Sequence, residues 1–246
     1  RFPKRYKKYF MFYYIFKLKF LLKGKKINRL KTLPKMTDPR AIAILDILAT
    51  TAPAAYWFDT FLQSMMTVKM VLLSIKYGND PLSPSVGYAG IAGLLCSIGD
   101  FDTAHKIGEI TIELQNKIGA KERKARTLFF VNSWVRHWKE HVNTTLEPLK
   151  RAVILAIENG DKDYAAHSAM IYSHHLLDSD NKLEYVLKEH NEFISLLTNL
   201  DHVSEMQLIQ LFHQVATNLS DPKEGKHKLI GSSYDVEKMM PVHSKA

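Results

Sequence analysis

One cysteine in 246 residues, Cys96, rules out an internal disulfide framework and a cysteine-rich metal centre. So little cysteine fits a reducing compartment, and a cytoplasmic location is expected. Cys96 lies in the apolar run 92–96 and is expected to pack as a small hydrophobe. Glycine (11) and proline (9) are sparse, which argues against a turn-dense all-β protein. The sequence also lacks the motifs of the common catalytic machines. There is no phosphate-loop pattern, no G-x-G-x-x-G, no G-x-S-x-G, and neither H-R-D nor D-F-G. No catalytic, cofactor-binding or metal-ligating residue is assigned, no cofactor is expected, and the chain reads as a non-enzyme.

Acidic residues are missing from one place. Positions 1–31 hold twelve Lys and Arg and no Asp or Glu. The remaining 215 residues carry 22 basic and 25 acidic side chains, so the formal charge of +9 belongs to the N-terminus. A high overall pI therefore says little about the rest of the chain.

That N-terminus is also aromatic, with nine Phe or Tyr in its first twenty residues. Its longest uncharged run, 9–16, is far short of the ~20 residues needed to cross a bilayer. Lys17 and Lys19 interrupt the apolar stretch, which speaks against a secretory signal. The segment can be a peripheral membrane anchor, an arm for nucleic acid, or an element packed on a neighbouring domain. Lys4, Arg5, Lys7, Lys8, Lys17, Lys19, Lys23, Lys25 and Lys26 would meet an anionic surface. The alternation at 16–20 suits a strand; Phe12, Ile15, Phe16 and Phe20 equally share one face of a helix.

What is abundant is helical periodicity. Helices are predicted over 38–49, 56–77, 84–98, 101–118, 121–141, 144–159, 161–177, from 181 onward, and over 203–219. Thr144 with Glu147 reads as a capping box, and Asn181 with Glu184 as a second cap. This is an all-α chain of about nine helices, and antiparallel pairs stacked as a tetratricopeptide-like α-solenoid are expected. The expected layout is a basic aromatic segment (1–31), a helical-repeat domain (32–220) and a loose polar tail (221–246).

Two turns share the pattern G-D-x-D-x-A, at 99–104 and 160–165, about 60 residues apart. Gly ends one helix left-handed, Asp caps the next, and Ala allows close approach. An odd number of helices between them predicts one turn inside a hairpin and the other between hairpins. The implied pair repeat is ~40 residues, near tetratricopeptide and HEAT periods.

Several side chains invite chemistry. His137 and His141, four apart on a predicted helix, have zinc-like spacing, but Trp138 and Lys139 stand where a metalloprotease needs its Glu. His174 and His175, with Asp178 and Asp180 nearby, diverge by ~100° around a helix. Asp161 and Asp163 are better read as caps than as acid–base groups. Trp134 and Trp138, one turn apart, read as core. Arg123, Lys124, Arg126, Arg136 and Lys139 form either a solvated face or the lining of a groove for an acidic partner.

Leu33-Pro34-Lys35-Met36-Thr37-Asp38-Pro39, Ala55-Tyr56, and Leu73-Ser74-Ile75-Lys76-Tyr77-Gly78-Asn79 together resemble one family. So do Gly99-Asp100, His137-Trp138-Lys139-Glu140 and Asn159-Gly160-Asp161 with Asp163-Tyr164-Ala165. It is the tetratricopeptide-like helical region of very large signalling ATPases. There it stands among a protein-kinase-like domain, an AAA-type nucleotide-binding domain, a GAF sensor and often a histidine kinase. The likeness spans about 28–219. None of that family's catalytic domains is present, so none of their functional residues carries over. The resemblance implies a regulatory, non-catalytic module binding protein partners or adjacent domains in signal transduction.

Overall fold

The computed structural model describes residues 8–22, 24–80, 85–119, 123–220 and 228–244. Among them every regular element is a helix, apart from two isolated bridges. The described residues form eleven α-helices and two 3-10 stretches, with α-helices at Lys8–Leu22 and Val236–His243 outside the expected 32–220 domain. The chain divides into two compact units, 1–139 and 140–246.

In the first unit the helices are α1 (Lys8–Leu22), α2 (Pro39–Phe58), α3 (Thr60–Tyr77), α4 (Ser85–Ser97), α5 (Phe101–Ile118) and α6 (Lys124–Trp134). Aspartates start three of them. Asp38 accepts from Arg40 N and Ala41 N, Asp59 from Leu62 N, and Asp100 from Thr103 N. Each satisfies amides that have no partner within the helix and places negative charge at its positive end.

The helix predicted over 38–49 runs on to Phe58, with Pro53 inside it. Tertiary packing outweighs the proline: Ala41, Leu45, Leu48 and Ala52 continue one face against Met66, Met70 and Leu73. The helix predicted over 121–141 is instead cut. It ends at Trp134, and a 3-10 turn, Arg136–Trp138, follows.

Of the strand and helix readings of the N-terminal segment, the helix is the one that forms, over Lys8–Leu22. Leu18 and Leu22 are buried, with Ile27 and Leu30 of the 3-10 stretch Gly24–Thr32 extending the same seam. They join Val68, Val71, Ile91 and Leu95, each Leu contributing roughly 2 kcal/mol. Phe16 and Phe20 are left 74% and 62% exposed.

Asn79 ties this seam to the rest. Its side chain donates to Leu30 O at 2.8 Å and accepts from the Tyr88 hydroxyl at 2.7 Å. Its backbone pairs with Pro34 and Met36, at 2.7 Å each. Gly78 makes this approach feasible: its φ is +102°, and a Cβ there would lie 2.3 Å from Pro34 O.

The second unit contains α7 (Asn143–Glu158), α8 (Lys162–Leu177), α9 (Leu183–Leu200), α10 (Val203–Ser220) and α11 (Val236–His243). α7 packs on α8, α9 on α10, and α8 on both α9 and α10. Buried alanines at 152, 156, 165, 166 and 169 line α7 and α8.

Neither predicted cap forms. Thr144 Oγ1 donates back to His141 O instead, and α7 has no side-chain cap. Asn181 bonds Ser179 Oγ, and α9 likewise starts uncapped. Short polar side chains compete between capping and local turns, and here the turns win.

The G-D-x-D-x-A turns are alike in backbone. Gly99 and Gly160 have φ of +80° and +71°, and the amides of Asp100 and Asp161 reach back to Leu95 O and Ala156 O. Both turns join closely packed neighbours, α4 with α5 and α7 with α8, so neither lies between hairpins. α6, packed on α4 and α5, is the odd helix.

The tail is not uniformly loose. Residues 228–236 fold back in an antiparallel bridge, Ile230 with Asp235. Gln214 Oε1 accepts from Ser233 N and Asn218 Nδ2 donates to Lys228 O, and Tyr234 is buried. The first part of the tail, 221–227, lies outside the described residues.

Candidate functional site

The five basic residues proposed as a partner-binding face do not form an open cationic groove. Arg123 pairs with Asp46, Arg136 with Glu109 at 3.7 Å, and Lys139 with Asp102 at 2.5 Å. Arg126 also has an interaction within the chain, and Lys124 stands half-buried at the start of α6. Three of the five thus make ion pairs within the first unit.

A different feature occupies that unit. A groove of about 440 Å³ opens over α4, lined chiefly by Tyr56, Gln63, Gly93, Leu94, Trp134 and Trp138. No Asp, Glu, Lys or Arg is among the residues that line it. Its aromatic wall is braced: Tyr56 and Trp134 rings lie 5.7 Å apart, and Trp138 stacks on Phe101 at 4.6 Å. Gly93 shapes the floor, since a Cβ there would come within 2.9 Å of the Trp134 ring. Trp134 is half-buried as core, but Trp138 is 51% exposed because the helix breaks before it. Burial, with a smaller contribution from Asp100, pushes the Cys96 thiol up to about 11, so it faces the groove as a thiol rather than a nucleophilic thiolate. The sequence signal for this groove was the spacing of small residues at 90, 93 and 97 beside tryptophans at 134 and 138.

The histidines separate. The break after Trp134 removes the helical platform that would bring His137 and His141 to one face. His141 instead lies 3.6 Å from Asp180, and its Nδ1 accepts from Asn143 N. His174 stacks on Phe212 and contacts Asp178 at 3.4 Å. His175 is buried with Nδ1 2.7 Å from Thr145 Oγ1, joining α8 to α7. The two neighbours diverge as their helical positions require.

The second unit holds polar clusters that sequence spacing could not show. Glu189 is buried and accepts from Lys150 Nζ and the Tyr172 hydroxyl, both at 2.7 Å. Burial alone would raise its carboxyl, but Lys150 and Tyr172 outweigh that and hold it below the usual range. Between α8 and α10, Glu205 sends one oxygen to His167 at 3.0 Å and the other toward His202 at 3.5 Å. His202 in turn lies 3.6 Å from Asp163. Contact with His167, against the opposing effect of burial, lowers the Glu205 carboxyl to about 2. These donor types are ones that hold metals, but Glu205 spreads its oxygens between the rings, giving a chain of pairs rather than a cage. Asp163 thus serves this chain, and Asp161 makes no side-chain cap for α8.

Of the basic N-terminal residues, Lys19 pairs with Asp100 at 2.7 Å and Lys26 stands over the Phe20 ring at 4.8 Å. Lys17 is exposed. Lys4, Arg5, Lys7 and Lys23, and the side chains of Lys8 and Lys25, lie outside the described residues. Among those described, no helix is long and apolar enough to cross a membrane.

The sequence matches no family model and no curated protein.

Proposed function

We propose that the chain is a non-catalytic helical-repeat interaction module, and that the groove over α4 receives an apolar segment of a protein partner. The observation that carries this reading is the absence of Asp, Glu, Lys and Arg from the lining of a groove walled by braced aromatics, with Trp138 half in solvent. Aromatic anchors in shaped clefts are where binding energy concentrates. An exposed indole also costs hydration, which a partner would relieve.

The tetratricopeptide-like reading draws support from the second unit. Gly160 and Asp201 occupy equivalent left-handed positions about 40 residues apart, each followed by an amide that reaches back into the preceding helix. That spacing fits two stacked helix pairs. The resemblance to the helical region of signalling ATPases supports a partner that is a neighbouring domain or protein of signal transduction.

A phage-displayed peptide library panned on the intact chain, with Trp138→Ala and Tyr56→Ala chains as counter-selection, tests the groove. Enrichment of peptides with an aromatic or aliphatic anchor, lost on both variants, is expected. Peptides bound equally by the variants overturn it. The native polypeptide's mass, probed with an antibody against 40–220, tests the parentage. A band far above 28.2 kDa supports a segment of a larger signalling protein, and one near that mass overturns it.

A further inference from the structure

α1 is apolar on more than one side, and the structure uses only one of them. Leu18 and Leu22 are in the core, while Tyr13, Phe16 and Phe20 project into solvent at 59%, 74% and 62% exposure. Their spacing of three and four residues sets the rings in one row along the helix. Lys17 lies between them on the same side and is exposed, and Lys26 reaches over the Phe20 ring from the 3-10 stretch. Beside the row, Phe16 and Phe20 also wall an open cleft of about 640 Å³. The carboxylates at its rim are neutralised: Asp100 pairs with Lys19 and Asp102 with Lys139.

We propose that this row is a docking surface for an anionic lipid bilayer, on which α1 lies in the plane of the interface. Rings would enter the boundary between headgroups and acyl chains, and the lysines would stay at headgroup level. The charge fits that occupant, since the first 31 residues carry twelve basic and no acidic side chains. Each lysine or arginine near an anionic leaflet contributes on the order of a fivefold gain in binding. A nucleic acid fits less well. Base stacking needs an open ring face, and Lys26 already covers one face of Phe20.

The test uses the intact chain and two sets of vesicles, pure phosphatidylcholine and phosphatidylcholine with about 30% phosphatidylserine. Sedimentation with the second set is expected, at least about tenfold stronger than with the first and weakened by about 0.5 M NaCl. Phe16→Ala with Phe20→Ala should reduce it by about tenfold or more without moving the thermal unfolding midpoint, because both rings are exposed. Lys17→Glu with Lys26→Glu should reduce it independently and abolish the preference for phosphatidylserine. The proposal is overturned if phosphatidylserine vesicles do not sediment the chain, or if both double variants bind as the unaltered chain does. It is equally overturned if the same rings serve single-stranded RNA, or a second copy of the chain in sedimentation equilibrium, while vesicles are ignored.

Discussion

The two units solve the same packing problem with different chemistry. The first fills its interior chiefly with Leu, Ile, Val and Met, and its buried polar groups include Asn79, Asp80, Tyr88 and Gln115 but, among the described residues, no imidazole. The second buries side chains that titrate, among them Glu189, His190 and His175. His190 donates from Nε2 to Ser173 O at 2.9 Å, while its Nδ1 has no hydrogen-bond partner among the described residues. The His213 ring stands 6.2 Å away. An apolar core is indifferent to acid, whereas a buried imidazole is not. The comparison teaches that two all-helical units can look alike in outline and respond to different conditions.

The largest effect expected belongs to the first unit. Gly78→Ala combines a left-handed backbone with a collision against Pro34 O, and should cost about 3 kcal/mol or more in urea unfolding. A cost below about 1 kcal/mol would mean that the Asn79 junction yields more readily than its geometry implies.

Acid should then divide the units. Burial, with the neighbouring His213 adding to it, holds the His190 imidazole down to about 4 from its ordinary 6.5. Between those values the unfolded chain takes up a proton that the folded chain refuses. Stability present above pH 6.5 is therefore lost as pH falls toward 4, by roughly 3 kcal/mol. All three tryptophans lie in the first unit, at 57, 134 and 138. Circular dichroism over this window should thus fall before tryptophan fluorescence moves, and coincident transitions would break the distinction.

Lys150→Met removes the cation paired with the buried Glu189 carboxylate, and should destabilise the second unit by about 2 kcal/mol at neutral pH. The same variant should lose less at pH 4, where the carboxyl can take a proton. The smallest effect sharpens the likeness of the two G-D-x-D-x-A turns. Asp100→Ala removes a cap from α5 and should cost about 1 kcal/mol, more than Asp161→Ala, which removes no cap from α8. Equal losses in thermal unfolding would show that the caps, and not only the turns, are equivalent.

Much of the fold was legible where the signals are local. Phe101–Ile118 was bounded by Asp100 and Gly119, which cap it at both ends, and Val203–Ser220 followed its apolar spacing. The failures are tertiary. Residues 50–55 stay helical because Ala49 and Ala52 reach the methionines of α3, which no local scale registers. Periodicity alone could not choose between the leucine and phenylalanine faces of α1, since either is apolar. For the candidate site, the residue types were visible but the pairings were not. Arg123 finds Asp46 across 77 positions, and Glu205 finds His167 only when α8 and α10 meet. The aromatic groove was hidden for a simpler reason: Trp138 reads as core until the helix is seen to break before it.

The Asn79 junction also bears on the order in which the first unit folds. Most of its contacts join helices adjacent in sequence, which close quickly, but the bond from Asn79 to Leu30 spans 49 residues. Closing that loop yields little until α3 and α4 already stand in place to present Asn79 and Tyr88. The leading segment through residue 36 should therefore be the last part of this unit to gain protection from hydrogen exchange during refolding. It should also be the first to lose protection when the unit opens.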